Sequence, residues 1–107
     1  MKSLSELEIR TLRWAEARRI IPNARPHVQL MKTVSELGEL VDAEIKDDMP
    51  GIIDGIGDVL VTLVIYADLR GLSLQQCWNA AYDEIKDRRG ELLANGVFVK
   101  ETANPAP

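Results

Sequence analysis

The sequence predicts an all-α protein, a four-helix bundle formed as a single domain from 107 residues. Three observations lead there. Apolar residues recur at helical spacing through four segments. Serine and proline stand where those segments begin, and glycine where they end. No alternation of apolar and polar residues exceeds a few positions before the C-terminal end.

The first helix is expected from about Leu4 to Ile20, opened by the capping-box pattern Ser3-x-x-Glu6. Pro22-Asn23 interrupts the chain, and Pro26 suits the first turn of a second helix. That helix reads to about Lys46, with Leu30, Val34, Leu37 and Val41 on one face at spacings of 4, 3 and 4. Asp47 to Gly51 reads as a turn whose acids favour the next helix N-terminus. The third helix then extends to about Arg70 and stops at Gly71. Ser73-x-x-Gln76 caps a fourth, read to about Leu93 and closed by Asn95-Gly96. Val97-Phe98-Val99 reads as a short extended segment. Residues 1–100 form the expected domain, and 101–107 a flexible tail.

The third helix says most about assembly. Of the 18 residues from Ile52 to Leu69, 12 are apolar, and they surround the helix instead of forming one stripe. A helix of that kind is expected to be buried on all sides. Asp54, Asp58 and Asp68 exclude a membrane span. So small a bundle has little room to enclose one helix, so the simpler expectation is a homo-dimer or tetramer sharing it.

Composition narrows the function classes. With 46% apolar and 28% charged residues the chain has an ordinary globular balance. Its 13 basic and 17 acidic residues leave a net charge of −4, so neither a nucleic-acid polymer nor an anionic membrane is an expected partner. One cysteine, Cys77, excludes a disulfide framework and reads as a small packing residue. It fits a reducing compartment, and the N-terminus has no signal-peptide core, so a cytoplasmic location is expected. The single histidine, His27, leaves no basis for a histidine-rich metal site. Any chemistry falls to carboxylates.

Asp54 and Asp58 lie one helical turn apart and share a face. The second helix offers a matching pair, Glu36 and Glu39, with Lys32 one turn before them. Two facing pairs of acids tolerate burial only around a cation. With oxygen donors alone that cation is hard: Mg²⁺, with Mn²⁺ as a substitute. Gly38, Gly55 and Gly57 lie inside these helices, each costing about 1 kcal/mol relative to alanine, which points to close backbone approach at the acids. A plainer reading makes Asp54 a dipole partner near a helix start and the glutamates part of a solvated face. Asp58, beside Ile56, Val59 and Leu60, fits that reading least.

Three ordered blocks resemble the MazG family of all-α nucleoside triphosphate pyrophosphohydrolases: Gln29-Leu30-Met31-Lys32-Thr33-Val34-Ser35-Glu36-Leu37-Gly38-Glu39-Leu40, Ile53-Asp54-Gly55-Ile56-Gly57-Asp58-Val59-Leu60-Val61, and Ala81 to Gly90. The third is similar to the corresponding segment of short, phage-type MazG-like proteins, and Trp14 to Arg18 fits their first helix. The family's metal motif, E-E-x-x-E followed by E-x-x-D, reads here as Ser35-Glu36-x-x-Glu39 and Gly55-x-x-Asp58. The resemblance implies that Glu36, Glu39 and Asp58 are metal ligands. Asp54 is the expected fourth ligand beside the acid missing at position 55.

The resemblance also implies Mg²⁺-dependent hydrolysis of a (deoxy)nucleoside triphosphate to the monophosphate and pyrophosphate. Glu36 or Glu39 would act on the attacking water. Gln29, Lys32, Asp83, Lys86, Arg89 and Trp14 are the expected substrate contacts. Lys86 and Arg89 also read as a solvated face with Glu84 and Asp87, and Trp14 and Trp78 as core. A nucleotide-pool activity on dGTP, housecleaning of non-canonical nucleotides, and a non-catalytic helical module with a degenerate metal site all remain open from the sequence.

Overall fold

A computed structural model of the chain describes residues 1–101; of the expected tail, 101–107, all but Glu101 lies outside the described residues, and the Glu101 amide donates to the Arg89 carbonyl at 2.8 Å. The elements in order are α1 (Leu4–Ala17), α2 (Ile20–Asn23), α3 (Pro26–Ile45), α4 (Met49–Leu69), α5 (Leu74–Ile85), β1 (Gly90–Leu92) and β2 (Phe98–Lys100). The all-α class holds, and the strands form one two-stranded antiparallel hairpin. The chain divides into two compact units, Met1–Gln76 and Cys77–Pro107, with α5 running through the junction.

The local signals in the sequence set most helix ends. Ser3 Oγ accepts from the Glu6 amide over 3.1 Å and starts α1. Pro26 occupies the first turn of α3. Asp48 caps α4, accepting from the Gly51 amide at 3.2 Å, so α4 begins at Met49, earlier than the expected Ile52. At its end Gly71 takes φ +75°, while the Gly71 and Leu72 amides donate to Asp68 and Ala67 (2.9 and 2.8 Å). That is a Schellman closure, which favours glycine at the left-handed position. Ser73 and Gln76 form the reciprocal capping box at 3.0 and 3.5 Å.

Three expectations are corrected. The first helix stops at Ala17 and not at Ile20, because Arg19 adopts a left-handed conformation before the short α2. The last helix ends at Ile85 and not near Leu93. Residues expected to be helical instead form β1, paired Gly90 to Lys100, Glu91 to Val99 and Leu92 to Phe98. Asn95-Gly96 is the turn of that hairpin, with Gly96 at φ +87° and Asn95 Oδ1 accepting from the Val97 amide at 3.0 Å. An Asn-Gly pair between apolar runs is a hairpin signal, and it outweighs the helical reading here.

The third correction concerns which faces are buried. In the first unit α4 packs chiefly against α3 and carries α1 on another side. Thr62, Val64, Ile65 and Ala67 are buried on α4, yet Ile53, Ile56, Leu60 and Val61 are exposed, so the chain does not enclose this helix on all sides. On α3 the expected core stripe is also exposed: Leu30, Val34, Leu37 and Val41 are open to solvent. The face that is covered instead carries Gln29, Thr33, Glu36, Leu40 and Ala43, at spacings of 4, 3, 4 and 3. The more polar side of α3 therefore meets α4. The first turn of α5 is tied to α1, with the Leu74 amide donating to Glu8 Oε2 at 2.7 Å and Gln75 donating to Ser5 Oγ at 2.7 Å.

Candidate functional site

The covered face of α3 sets Glu36 against α4, where Asp58 stands half-buried like Glu36 itself. Burial, reinforced by the charge of Asp54, pushes the Asp58 carboxyl above its ordinary value, and Glu39 adds to the effect. Glu36 is raised chiefly by its hydrogen bond with Glu39, then by loss of solvent and the charges of Glu39 and Asp58; Lys32 opposes the shift. The four expected ligands thus act on one another across two helices. Like charges gathered in this way form a set that a divalent cation would relieve.

An open cleft of about 250 Å³ lies between α3 and α4, lined by Glu39, Asp54 and Asp58 together with Asp42, Asp48 and Lys46. Asp42 and Lys46 went unnoticed in the sequence, although Asp42 lies three residues beyond Glu39 and Lys46 four beyond Asp42. Among the described residues, no group of three or more acidic, histidine or cysteine side chains is drawn close enough to hold one ion. Asp54 and Glu39 are exposed, while Glu36 and Asp58 are half-buried.

The glycines divide. A Cβ at Gly55 would stand 3.0–3.2 Å from Leu40 side-chain and backbone atoms, so the close approach expected of α3 and α4 occurs there. Gly38 and Gly57 have open space where a Cβ would be. Position 55 is thus a packing point, and its neighbour Asp54 is the acid that reaches the cleft.

Asp58 also borders a second cleft of about 430 Å³ between α1 and α4, with Leu7, Arg10, Thr11, Trp14 and Val61. Trp14 is exposed rather than core, but the Arg18 guanidinium lies 4.5 Å from its ring centre and covers one face. Arg10 was also missed; it pairs with Glu6 at 3.0 Å on the α1 surface. Gln29 is buried, its amide turned to the Thr62 carbonyl at 3.4 Å, which places it between helices and not on an open surface. Lys32 and His27 are exposed.

The remaining expected contacts belong to the second unit. There Asp83 accepts from Asn79 at 3.3 Å and lies 3.7 Å from Lys86, while Arg88 lies 3.8 Å from Glu84. Arg89 lines a separate open cleft of about 740 Å³ with Lys100, Glu91 and Glu101. Trp78 and Cys77 are exposed, so the reading of Cys77 as a packing residue is corrected.

Comparison with known proteins follows the same lines. The family model described as the MazG nucleotide pyrophosphohydrolase domain matches residues 25–92. A protein of Haemophilus phage HP1, an uncharacterized 18.2 kDa protein from the rep-hol intergenic region, is 36% identical over 67 residues, 63% of this chain. The match takes up 41% of that relative's length. Among solved structures, the cyanophage S-2L MazG-like pyrophosphohydrolase, bound to dGDP and three catalytic Mn²⁺ ions per active site, superposes with a TM-score of 0.68. That likeness has 22% identity and covers 95% of this chain and 100% of the other, so it speaks for the fold. Among the described residues no helix is long and apolar enough to cross a membrane.

Proposed function

Because the chain belongs to the MazG nucleotide pyrophosphohydrolase family, we propose that it hydrolyses a (deoxy)nucleoside triphosphate to the monophosphate and pyrophosphate with the help of a divalent cation. The observation carrying this reading is the facing of Glu36 and Asp58 across α3 and α4, with Glu39 and Asp54 beside them at the acidic cleft. An all-carboxylate donor set suits Mg²⁺ or Mn²⁺. Glu36, Glu39, Asp54 and Asp58 would hold it. When bound, such an ion neutralises phosphate charge and lowers the pKa of a coordinated water.

The chain's own residues supply the rest. Glu36 or Glu39 takes the proton of the attacking water. The water oxygen bonds to phosphorus, the bond to the bridging oxygen between the α- and β-phosphates breaks, and pyrophosphate leaves with the electron pair. Lys32, one turn before Glu36 on α3, is the proposed phosphate contact within the first unit. Trp14 offers its free face to a base, in the cleft it shares with Asp58. The dGDP in the cyanophage structure makes a deoxyguanosine nucleotide the first substrate to try.

A panel measuring pyrophosphate release from common and non-canonical NTPs and dNTPs, with Mg²⁺ and with Mn²⁺, tests the proposal. Release from at least one of them that stops in Asp58→Asn is expected, and no release from any overturns it. Ser35 and Gly55 stand where the family motif has acids, which favours as a second reading a non-catalytic helical module. Under that reading the melting temperature does not respond to Mg²⁺ plus nucleotide, whereas a binding site raises it.

A further inference from the structure

Two contacts lock α3 against α4, one on each side of the acids. On one side the Thr33 hydroxyl donates to Thr62 Oγ1 at 2.9 Å, and the Thr62 hydroxyl donates in turn to the Val59 carbonyl at 2.7 Å. Gln29 adds a longer bond to the Thr62 carbonyl, 3.4 Å. Thr62 and Gln29 are buried, and among the described residues no buried side-chain nitrogen or oxygen lacks a partner. On the other side Gly55 rests against Leu40.

The two contacts keep one antiparallel register. Seven residues along α3, from Thr33 to Leu40, are matched by seven back along α4, from Thr62 to Gly55. Glu36 and Asp58 fall between them, three residues after Thr33 and four before Thr62. A slip of one residue would turn each side chain by about 100° and carry Asp58 away from Glu36. The Gly55–Leu40 contact is apolar and non-directional, so it resists such a slip only sterically. A hydroxyl pair weakens steeply when its geometry changes.

We infer that the part-buried Thr33–Thr62 hydroxyl pair is a positioning element, setting the register that holds Glu36 opposite Asp58 and so governing the affinity of the acids for a divalent cation. The inference rests on the proposed cation site. Neither threonine is assigned to touch the ion or the nucleotide. The pair acts as a support behind ligands, a place where polar residues tune metal affinity.

The test titrates Mn²⁺ alone into the chelator-stripped full chain, read by calorimetry or by the spin signal of free Mn²⁺, beside the metal-free melting temperature. Thr33→Val is the cleaner variant, because Thr62 keeps its bond to Val59. Thr33→Val and Thr62→Val are each expected to weaken Mn²⁺ binding about tenfold, with the metal-free melt of Thr33→Val lowered by no more than the loss of one hydrogen bond. The double variant should be no weaker than either single one, since both remove the same bond. Thr62→Ser, which keeps the hydroxyl, should bind as wild type does. Wild-type affinity in Thr33→Val overturns the inference while leaving the cation site standing. A Thr62→Ser variant as weak as Thr62→Val overturns it too, by assigning the effect to the methyl group. Failure of the wild type to bind Mn²⁺ removes the cation site and the inference together. Should Thr62→Val not fold, Thr33→Val decides.

Discussion

At the scale of single residues, the acids carry both the proposed chemistry and a mutual repulsion in the metal-free fold. Glu36 and Asp58 are raised, so the folded chain holds their protons more tightly than the unfolded chain does. Their contribution to stability is present below the unfolded pKa and is lost as pH rises through the folded values. In chelator, the melting temperature is expected to rise as pH falls from neutral toward the range just above ordinary carboxylate values. Asp58→Asn should flatten that dependence, melt higher than wild type at neutral pH, and lose hydrolysis by at least about a hundredfold, or ~2.7 kcal/mol of activation free energy. Asp54 gives a finer test, because its neighbour Gly55 is a packing point. As a ligand, its change to alanine weakens Mg²⁺ dependence or turnover by roughly tenfold, about 1.4 kcal/mol. As a dipole partner alone, it would shift the melt by less than about 1 kcal/mol and leave kinetics untouched. A Mg²⁺ titration and a melt of Asp54→Ala separate the two.

At the scale of elements, three helical glycines that look alike in the sequence have different surroundings. Gly38→Ala and Gly57→Ala meet nothing within 4 Å and are expected to stabilise the chain by up to about 1 kcal/mol each. Gly55→Ala drives a methyl against the Leu40 backbone and Cβ at 3.1–3.2 Å and is expected to destabilise by about 1–3 kcal/mol. Thermal melts of the three variants give the comparison. A fall for Gly38→Ala or Gly57→Ala would mark a contact that the single chain does not make. The hairpin shows a similar dependence on surroundings. Gly90 lies against the Phe98 ring and the Val99 carbonyl, where a side chain has no room, and this ends the helical reading of that segment.

At the scale of the whole molecule, the first unit covers the more polar face of α3 and leaves Leu30, Val34, Leu37 and Val41 exposed, along with Ile53, Ile56 and Leu60 of α4. No large side chain among the described residues is fully enclosed. Exposed apolar area on this scale is characteristic of an interface. We expect a homo-dimer or tetramer closing on these stripes, seen by light scattering as a mass well above the 11.9 kDa of the single chain. Val34→Glu, at a position 68% exposed in the single chain, should dissociate it without unfolding the chain. A wild-type mass of one chain at micromolar concentration would refute the expectation.

Helix class, most helix ends and the pairing of acids along each helix were legible in the sequence, because they depend on neighbours three or four residues away. Ser3, Pro26, Gly71 and Ser73 act on amides and carbonyls within their own turn, and Glu36–Glu39 and Asp54–Asp58 share faces by helical period alone. Family membership was legible for a related reason, since the blocks that carry it lie in short runs. Which face of α3 meets α4 and which of three glycines marks the close approach were decided only by the tertiary structure. Each of these depends on a residue far along the chain. Apolar spacing shows that a stripe seeks burial, but the hydrophobic effect has no direction and does not say against what. The Thr33–Thr62 bond joins residues 29 positions apart, and nothing in either local run announces it.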